Sequence, residues 1–279
     1  MTQKIKKRWI FLFILILLIL VSISIHVIIG QGKKEILAAK EFKELLESNN
    51  IVEEYKKSDT LTYDSIKIID SSNSSEYYTV STKVFTVNVD SSYKVIGFNN
   101  LLKSNYNNQQ IGEEEAKCIS EEYLKKIYDG QYKFEEIKED NVVNIPYYTF
   151  IFKKYEEGYP YYDKKISMQI NKYTGKLEGY VNLGSDLELG NLDILVTEEE
   201  AYKKALLNFN ETNKNGEKAE STFKALSENE DATLMELCYI VTIKGINEED
   251  KEVKFKYFIS VNDGRIIKVA RDNINKTTT

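Results

Sequence analysis

The amino-acid sequence predicts an α+β protein: an N-terminal transmembrane helix followed by tandem units, each a helix packed on an antiparallel β-meander. Three observations support this prediction. An uncharged apolar run occupies residues 9–29, helical apolar patterns precede segments in which apolar and polar residues alternate, and a strand–turn–strand pattern recurs three times. A helical apolar stripe and an alternating strand each need a covering surface, which a helix laid on a sheet provides.

We interpret residues 1–32 as a cytoplasmic stub and an uncleaved transmembrane signal anchor. The apolar run is 21 residues long, so a helix of that length would span about 30 Å, the thickness of a bilayer's hydrocarbon core. Four cations precede the run: Lys4, Lys6, Lys7 and Arg8. Basic residues favour the cytoplasmic side, and the run exceeds the apolar core of a cleaved signal peptide. We therefore expect a single-pass cell-membrane protein whose C-terminal part is extracytoplasmic.

The charge of the remainder excludes one class of partner. The whole chain has a net charge of −6, and residues 1–32 contribute four cations and no acid, which leaves −10 for the other 247 residues. Nucleic acid repels so acidic a domain, and no basic groove motif interleaved with aromatic residues is present. We expect no nucleic-acid partner.

The last predicted unit, residues 195–274, shows the repeat most clearly. Its helix begins with "TEEEA", in which Thr197 and Glu200 have the spacing of a capping box. Segments 234–245 and 251–270 then alternate with a period of two, which predicts strands with one covered and one wet face. A tight "NDG" turn interrupts the second segment.

Two earlier segments follow the same order. Residues 111–184 contain a helix that starts with "EEEA", strands at 147–155 and 164–170, and a turn containing Gly175. Residues 33–103 form a degenerate first unit, with an amphipathic helix at 35–48 and strands near 62–69, 76–82 and 84–90. The three turns are predicted to begin at equivalent residues, which are Asp90, Asn171 and Asn262. The first turn lacks the glycine of the other two.

The stretches "INKYTGKLEGY" and "VNDGRIIKV", each after an "EEEA" helix, resemble the PepSY family of small extracytoplasmic modules. Residues 148–180 are also similar to tandem repeats of the YcdB/YcdC type, whose "GxP" hairpin matches Gly158 and Pro160. These resemblances imply a protein that binds or inhibits a peptidase or modulates a cell-surface partner. The same plan resembles YycH/YycI-type regulators of a cell-wall sensor kinase, so that alternative stays open.

The sequence offers little for catalysis, metal binding or cofactors. The single histidine, His26, lies within the apolar run, so histidine-dependent hydrolysis and zinc sites lack their residues. Phosphate-binding glycine motifs are missing. Cys118 and Cys238 are interpreted as two buried small side chains. We predict no enzyme, no catalytic or metal site and no cofactor, although acids are plentiful enough to leave a carboxylate-based wall hydrolase as an alternative, beside an envelope scaffold.

The predicted partner-contact residues are Tyr159, Pro160, Tyr161 and Tyr162. They lie in the tyrosine-rich stretch 147–163, at or beside a predicted hairpin tip where large aromatic side chains are hard to bury. Tyrosine is enriched both in strands and at protein interfaces. We therefore expect a non-enzymatic binding or regulatory module, attached to the membrane through residues 9–29, whose partner is a protein or peptide outside the membrane, either a peptidase or a sensor kinase.

Overall fold

The computed structural model describes residues 33–53, 62–70, 75–102, 109–138, 145–182 and 187–272. The predicted transmembrane segment and His26 lie outside these residues. Within the described ranges, no helix is long and apolar enough to cross a membrane.

The fold is α+β, with three helices and antiparallel-rich sheet structure in the described residues, which confirms the predicted class. The helices are α1 (Lys34–Ser48), α2 (Glu113–Ile127) and α3 (Glu198–Thr212). The first strands are β1 (Asp64–Asp70), β2 (Ser75–Ser81), β3 (Phe85–Asp90), β4 (Val95–Asn100), β5 (Gln131–Lys138), β6 (Tyr147–Glu156) and β7 (Tyr159–Asn171). The others are β8 (Leu177–Asn182), β9 (Glu188–Leu189), β10 (Lys214–Lys218), β11 (Phe223–Glu228), β12 (Leu234–Ile246), β13 (Glu252–Ser260) and β14 (Ile266–Asp272).

Along the chain, each helix precedes a series of strands, as the repeat predicts. The sequence did not predict β5, β9, β10 and β11. The described chain divides into two compact units. The first covers described residues up to 127, 145–148 and 168–181, and the second covers the rest. This division falls inside β6 and β7, and the domain boundaries drawn from the sequence stay a prediction.

In the first unit, α1 covers one face of an antiparallel meander. The strand order is β1-β2-β3-β4, and β8 pairs antiparallel with β4. Alternate residues of β3, Phe85, Val87 and Val89, are fully buried. Phe42 of α1 lies over this face, with its ring 6.1 Å from that of Phe98. The alternation predicted for this strand is confirmed, because the helix covers every second side chain.

In the second unit, α3 packs on β12 and β13. Ala201, Ala205 and Phe209 of the helix join the apolar residues of these strands in one buried cluster. The capping box is confirmed, since the Glu200 N–H donates to Thr197 Oγ1 and the Thr197 N–H donates to the Glu200 carboxylate. The strand order here is β11-β12-β13-β14, with β9 and β10 also paired to β12.

The prediction that β12 has one wet face is wrong for the middle of the strand. Cys238, Ile240 and Thr242 are buried, although they alternate with the residues beneath α3. Cys238 and Ile240 belong to a second apolar cluster with Ala225, Phe258 and Ile267. β12 is therefore covered on both faces, a situation in which strands carry near-continuous apolar runs.

Equivalent turns close the last hairpin of each repeat. The residue that starts each turn, Asp90, Asn171 or Ser260, pairs its N–H with a carbonyl four or five positions later. Its side-chain oxygen accepts from backbone N–H groups inside the turn. The third turn thus begins at Ser260, two residues before the predicted Asn262. Because strand side chains alternate with a period of two, this shift leaves the buried face unchanged.

The same backbone conformation recurs near the end of each turn. Gly175 and Gly264 have φ angles of +67° and +71°, in the left-handed region that glycine enters without steric cost. In the first turn this position belongs to Tyr93, at φ +66°. Where the other two turns have a glycine, the first turn therefore has a tyrosine in the left-handed conformation.

The two cysteines are free and differ in environment. Cys238 is buried, and burial, aided by the nearby charge of Glu236, raises the pKa of its thiol to about 12. Cys118 is exposed on α2, so the prediction that both cysteines are buried is wrong for this residue.

Replacing Gly264 tests the turn geometry. Any residue with a Cβ at this position would have to adopt the left-handed conformation, which costs about 1–2 kcal/mol. We expect Gly264→Ala to lower the free energy of unfolding, measured by urea denaturation, by about that amount. Asparagine tolerates the conformation better, so Gly264→Asn should be the milder change. Equal stability of the wild type and both variants would contradict the left-handed conformation of Gly264.

Candidate functional site

The four predicted contact residues lie at the start of β7, directly after the turn formed by Glu157 and Gly158. The structure thus confirms the hairpin, with positive φ at both turn residues. Tyr159 and Pro160 are half-buried. The Lys224 ammonium lies 6.0 Å from the centre of the Tyr159 ring.

Tyr161 and Tyr162 pack on opposite sides of the sheet. Tyr161 is 8% exposed, belongs to the cluster beneath α3 and donates its hydroxyl hydrogen to Glu156. The Tyr162 ring meets the Phe258 ring edge-on, with centres 4.6 Å apart. The prediction that large aromatic side chains at the tip are hard to bury is wrong for Tyr161, because β11 pairs beside it through Leu226. A partner-contact role for the four residues stays a prediction.

A second surface was not identified from the sequence. β1 pairs only with β2 among the described residues, so its other side is an open sheet edge. Ile66 is 63% exposed and lies opposite Thr79 of β2. Ser65 points to the other face, where its hydroxyl donates to Glu35 of α1 over 2.8 Å. Ile66 is thus an exposed apolar side chain on the face away from the helix.

The two terminal edges differ in charge. Open edges invite strand pairing, and proteins commonly block it with charged side chains, lysine above all. β14, an edge strand among the described residues, carries Lys268 and Arg271 and follows Arg265 directly. In β1 the one cation is Lys67, which forms a 2.6 Å ion pair with Glu76 of β2. β1 thus has fewer cations than β14, although it also carries Asp64 and Asp70. Its signal in the sequence is "SIKII", an apolar stretch with one charge.

The electrostatics of the carboxyl groups do not favour acid–base chemistry. A general acid needs a raised pKa, yet every clearly shifted carboxyl pKa in the described chain is lowered. A hydrogen bond from Lys218 lowers the pKa of Glu198, and one from Lys254 lowers that of Glu220. The described residues also contain no group of three or more acidic, cysteine or histidine side chains that could hold a metal ion.

Comparisons with known proteins give similarity at the level of structure. No family model matches the chain, and no curated protein matches it. Among solved structures, the chain is similar to the YpeB C-terminal domain of Bacillus megaterium, at 15% sequence identity and a TM-score of 0.44. The alignment covers 84% of this chain and 96% of that domain.

Truncating Tyr161 tests whether this tyrosine is a core residue. Loss of a buried aromatic side chain typically costs 3–5 kcal/mol. We therefore expect Tyr161→Ala to lower the free energy of unfolding by about 3 kcal/mol. Leu207→Ala, at an exposed position of α3, should change it by less than about 0.5 kcal/mol. Similar small effects in both variants would show that Tyr161 is available for contact instead.

Proposed function

We propose that the chain is a membrane-anchored, extracytoplasmic binding and regulatory protein without catalytic activity, which modulates a peptidase or another cell-surface protein. The apolar run at 9–29 supports the anchor, and the PepSY-like motifs support the regulatory role. Lowered rather than raised carboxyl pKa values in the described chain favour this role over a wall hydrolase.

The observation that carries the proposal is the open edge of β1. An extended peptide can add to such an edge through main-chain hydrogen bonds, while alternate side chains provide specificity. On the face away from α1, Ile66 offers an apolar contact and Asp64 a negative charge, and Lys67 offers a positive charge on the opposite face. We propose that the partner contributes an extended segment here. A peptidase and a sensor kinase both remain candidates for that partner.

The same edge supports one alternative, an envelope scaffold. Two copies of β1 could also pair antiparallel with each other through their main-chain groups. The mass of a photo-crosslinked species distinguishes the two functions.

Site-specific photo-crosslinking tests the proposal. A photoreactive amino acid at position 64, in the full-length chain in its native membranes, should give an adduct with one extracytoplasmic or membrane protein. Ile66→Lys should reduce that adduct several-fold, because a second cation is costly to desolvate along a pairing edge. An adduct with the mass of two copies would instead identify the scaffold.

The matched control places the photoreactive residue at 269, where Val269 is 44% exposed on the edge strand β14. We expect no specific adduct there. Equal yields from positions 64 and 269, or an adduct at 64 that Ile66→Lys leaves unchanged, would contradict docking at β1.

A further inference from the structure

The packing of the first unit does not explain why Tyr93 has a left-handed backbone conformation. This residue occupies the left-handed position that glycine fills in the other two repeats. Such a conformation costs a non-glycine residue about 1–2 kcal/mol, and strained positions of this kind cluster where a side chain has a role. Tyr93 is 37% exposed, so burial in the core does not account for its conformation.

The ring of Tyr93 joins the start of α1 to the sheet. It stacks on Tyr78 of β2, with ring centres 6.2 Å apart and planes inclined by 17°. The ammonium of Lys34, the first residue of α1, lies 5.2 Å from the centre of the Tyr93 ring. The turn thus holds an aromatic ring and a cation together at one end of the unit.

Other exposed apolar side chains lie at this end. Leu37, one helical turn after Lys34, is 52% exposed, and Ile69 near the end of β1 is 67% exposed. The pairing of Ile69 with Glu76, and of Tyr77 with Asp90, places the end of β1 at the same end of the sheet as the turn that contains Tyr93, with β2 between them. We call Lys34, Leu37, Ile69 and Tyr93, with the exposed Lys33, the basal cluster.

Three of the acids near the basal cluster have hydrogen-bond or ion-pair partners. Glu35 is buried and accepts from Ser65, and Asp90 accepts from N–H groups of its own turn. Glu76 pairs with Lys67. The charged groups of the basal cluster itself are the exposed ammonium groups of Lys33 and Lys34, which lie beside apolar surface in a domain whose overall charge is negative.

The position of the cluster in the chain identifies its partner. Four residues separate Ile29, the end of the apolar run, from Lys34, and the five extended steps between the two reach at most about 18 Å. If the run lies in the membrane, the basal cluster cannot lie far from the bilayer surface. Tyrosine favours the headgroup region, and lysines beside a span attract anionic lipids.

We propose that the basal cluster contacts the headgroups of anionic phospholipids and so orients the first unit against the bilayer. This proposal rests on the proposed membrane anchor. The partner is the lipid surface, with Tyr93 and the two isolated apolar side chains at the interface and Lys33 and Lys34 beside the phosphates. Tyr93, whose left-handed conformation destabilises the turn, thus provides the aromatic side chain at the interface.

Fluorescence quenching in vesicles tests the proposal on the full-length chain. A fluorophore is attached through Ser92→Cys, in the turn, or through Ser48→Cys, at the far end of α1. A 15-residue helix is about 22 Å long, so the second site is the matched control. Cys118→Ser removes the exposed native thiol. The vesicles contain phosphatidylcholine with or without phosphatidylglycerol, together with a lipid that carries a headgroup quencher, and flotation first establishes membrane insertion.

We expect the label at position 92 to be quenched several-fold more than the label at 48, and only when phosphatidylglycerol is present. Lys34→Gln combined with Tyr93→Gly should remove most of that difference. A chain that floats but shows equal quenching at both sites, or a difference independent of phosphatidylglycerol, overturns the lipid contact while the anchor stands. A chain that does not float overturns the anchor and this inference together.

Discussion

The structure depends above all on the cover that α1 and α3 each give to one face of an antiparallel meander. In the first unit this is the contact of Phe42 with the buried face of β3 and β4, and in the second it is the contact of Phe209 with β12 and β13. Because side chains alternate along a strand, this burial fixes the register, and a slip of one residue would turn the whole apolar set to solvent. Turns and edges are then the surfaces left for other contacts.

Much of this packing could be predicted from the sequence. The helix starts follow from local chemistry, as the capping box of Thr197 shows, and the buried face of β3 follows from strict alternation. β10, "KNGEK", could not be predicted in this way, because it has no apolar residue and is positioned by its pairing with β12. The second buried face of β12 had a signal in the run "LCYIVTI", which is typical of a strand covered on both sides.

The candidate contact surfaces were harder to predict than the core. Tyr161 is a core residue because β11 pairs beside it, and no local pattern in the tyrosine-rich stretch reveals that partner strand. The open edge of β1 depends on the order of strands in the sheet, which the sequence left undetermined. The sequence showed only that the first turn lacks a glycine. The left-handed conformation of Tyr93 became clear from comparison with Gly175 and Gly264.

The repeat, the open edge and the basal cluster support one account, in which a non-catalytic module outside the membrane presents a strand edge to a partner. Its most direct test is thiol labelling of intact cells with a membrane-impermeant maleimide. Cys118 is exposed on α2, whereas Cys238 is buried and its raised pKa keeps the thiol protonated. The account predicts that intact cells label one thiol per chain, at Cys118. Labelling of Cys118 only after the cells are lysed would contradict it.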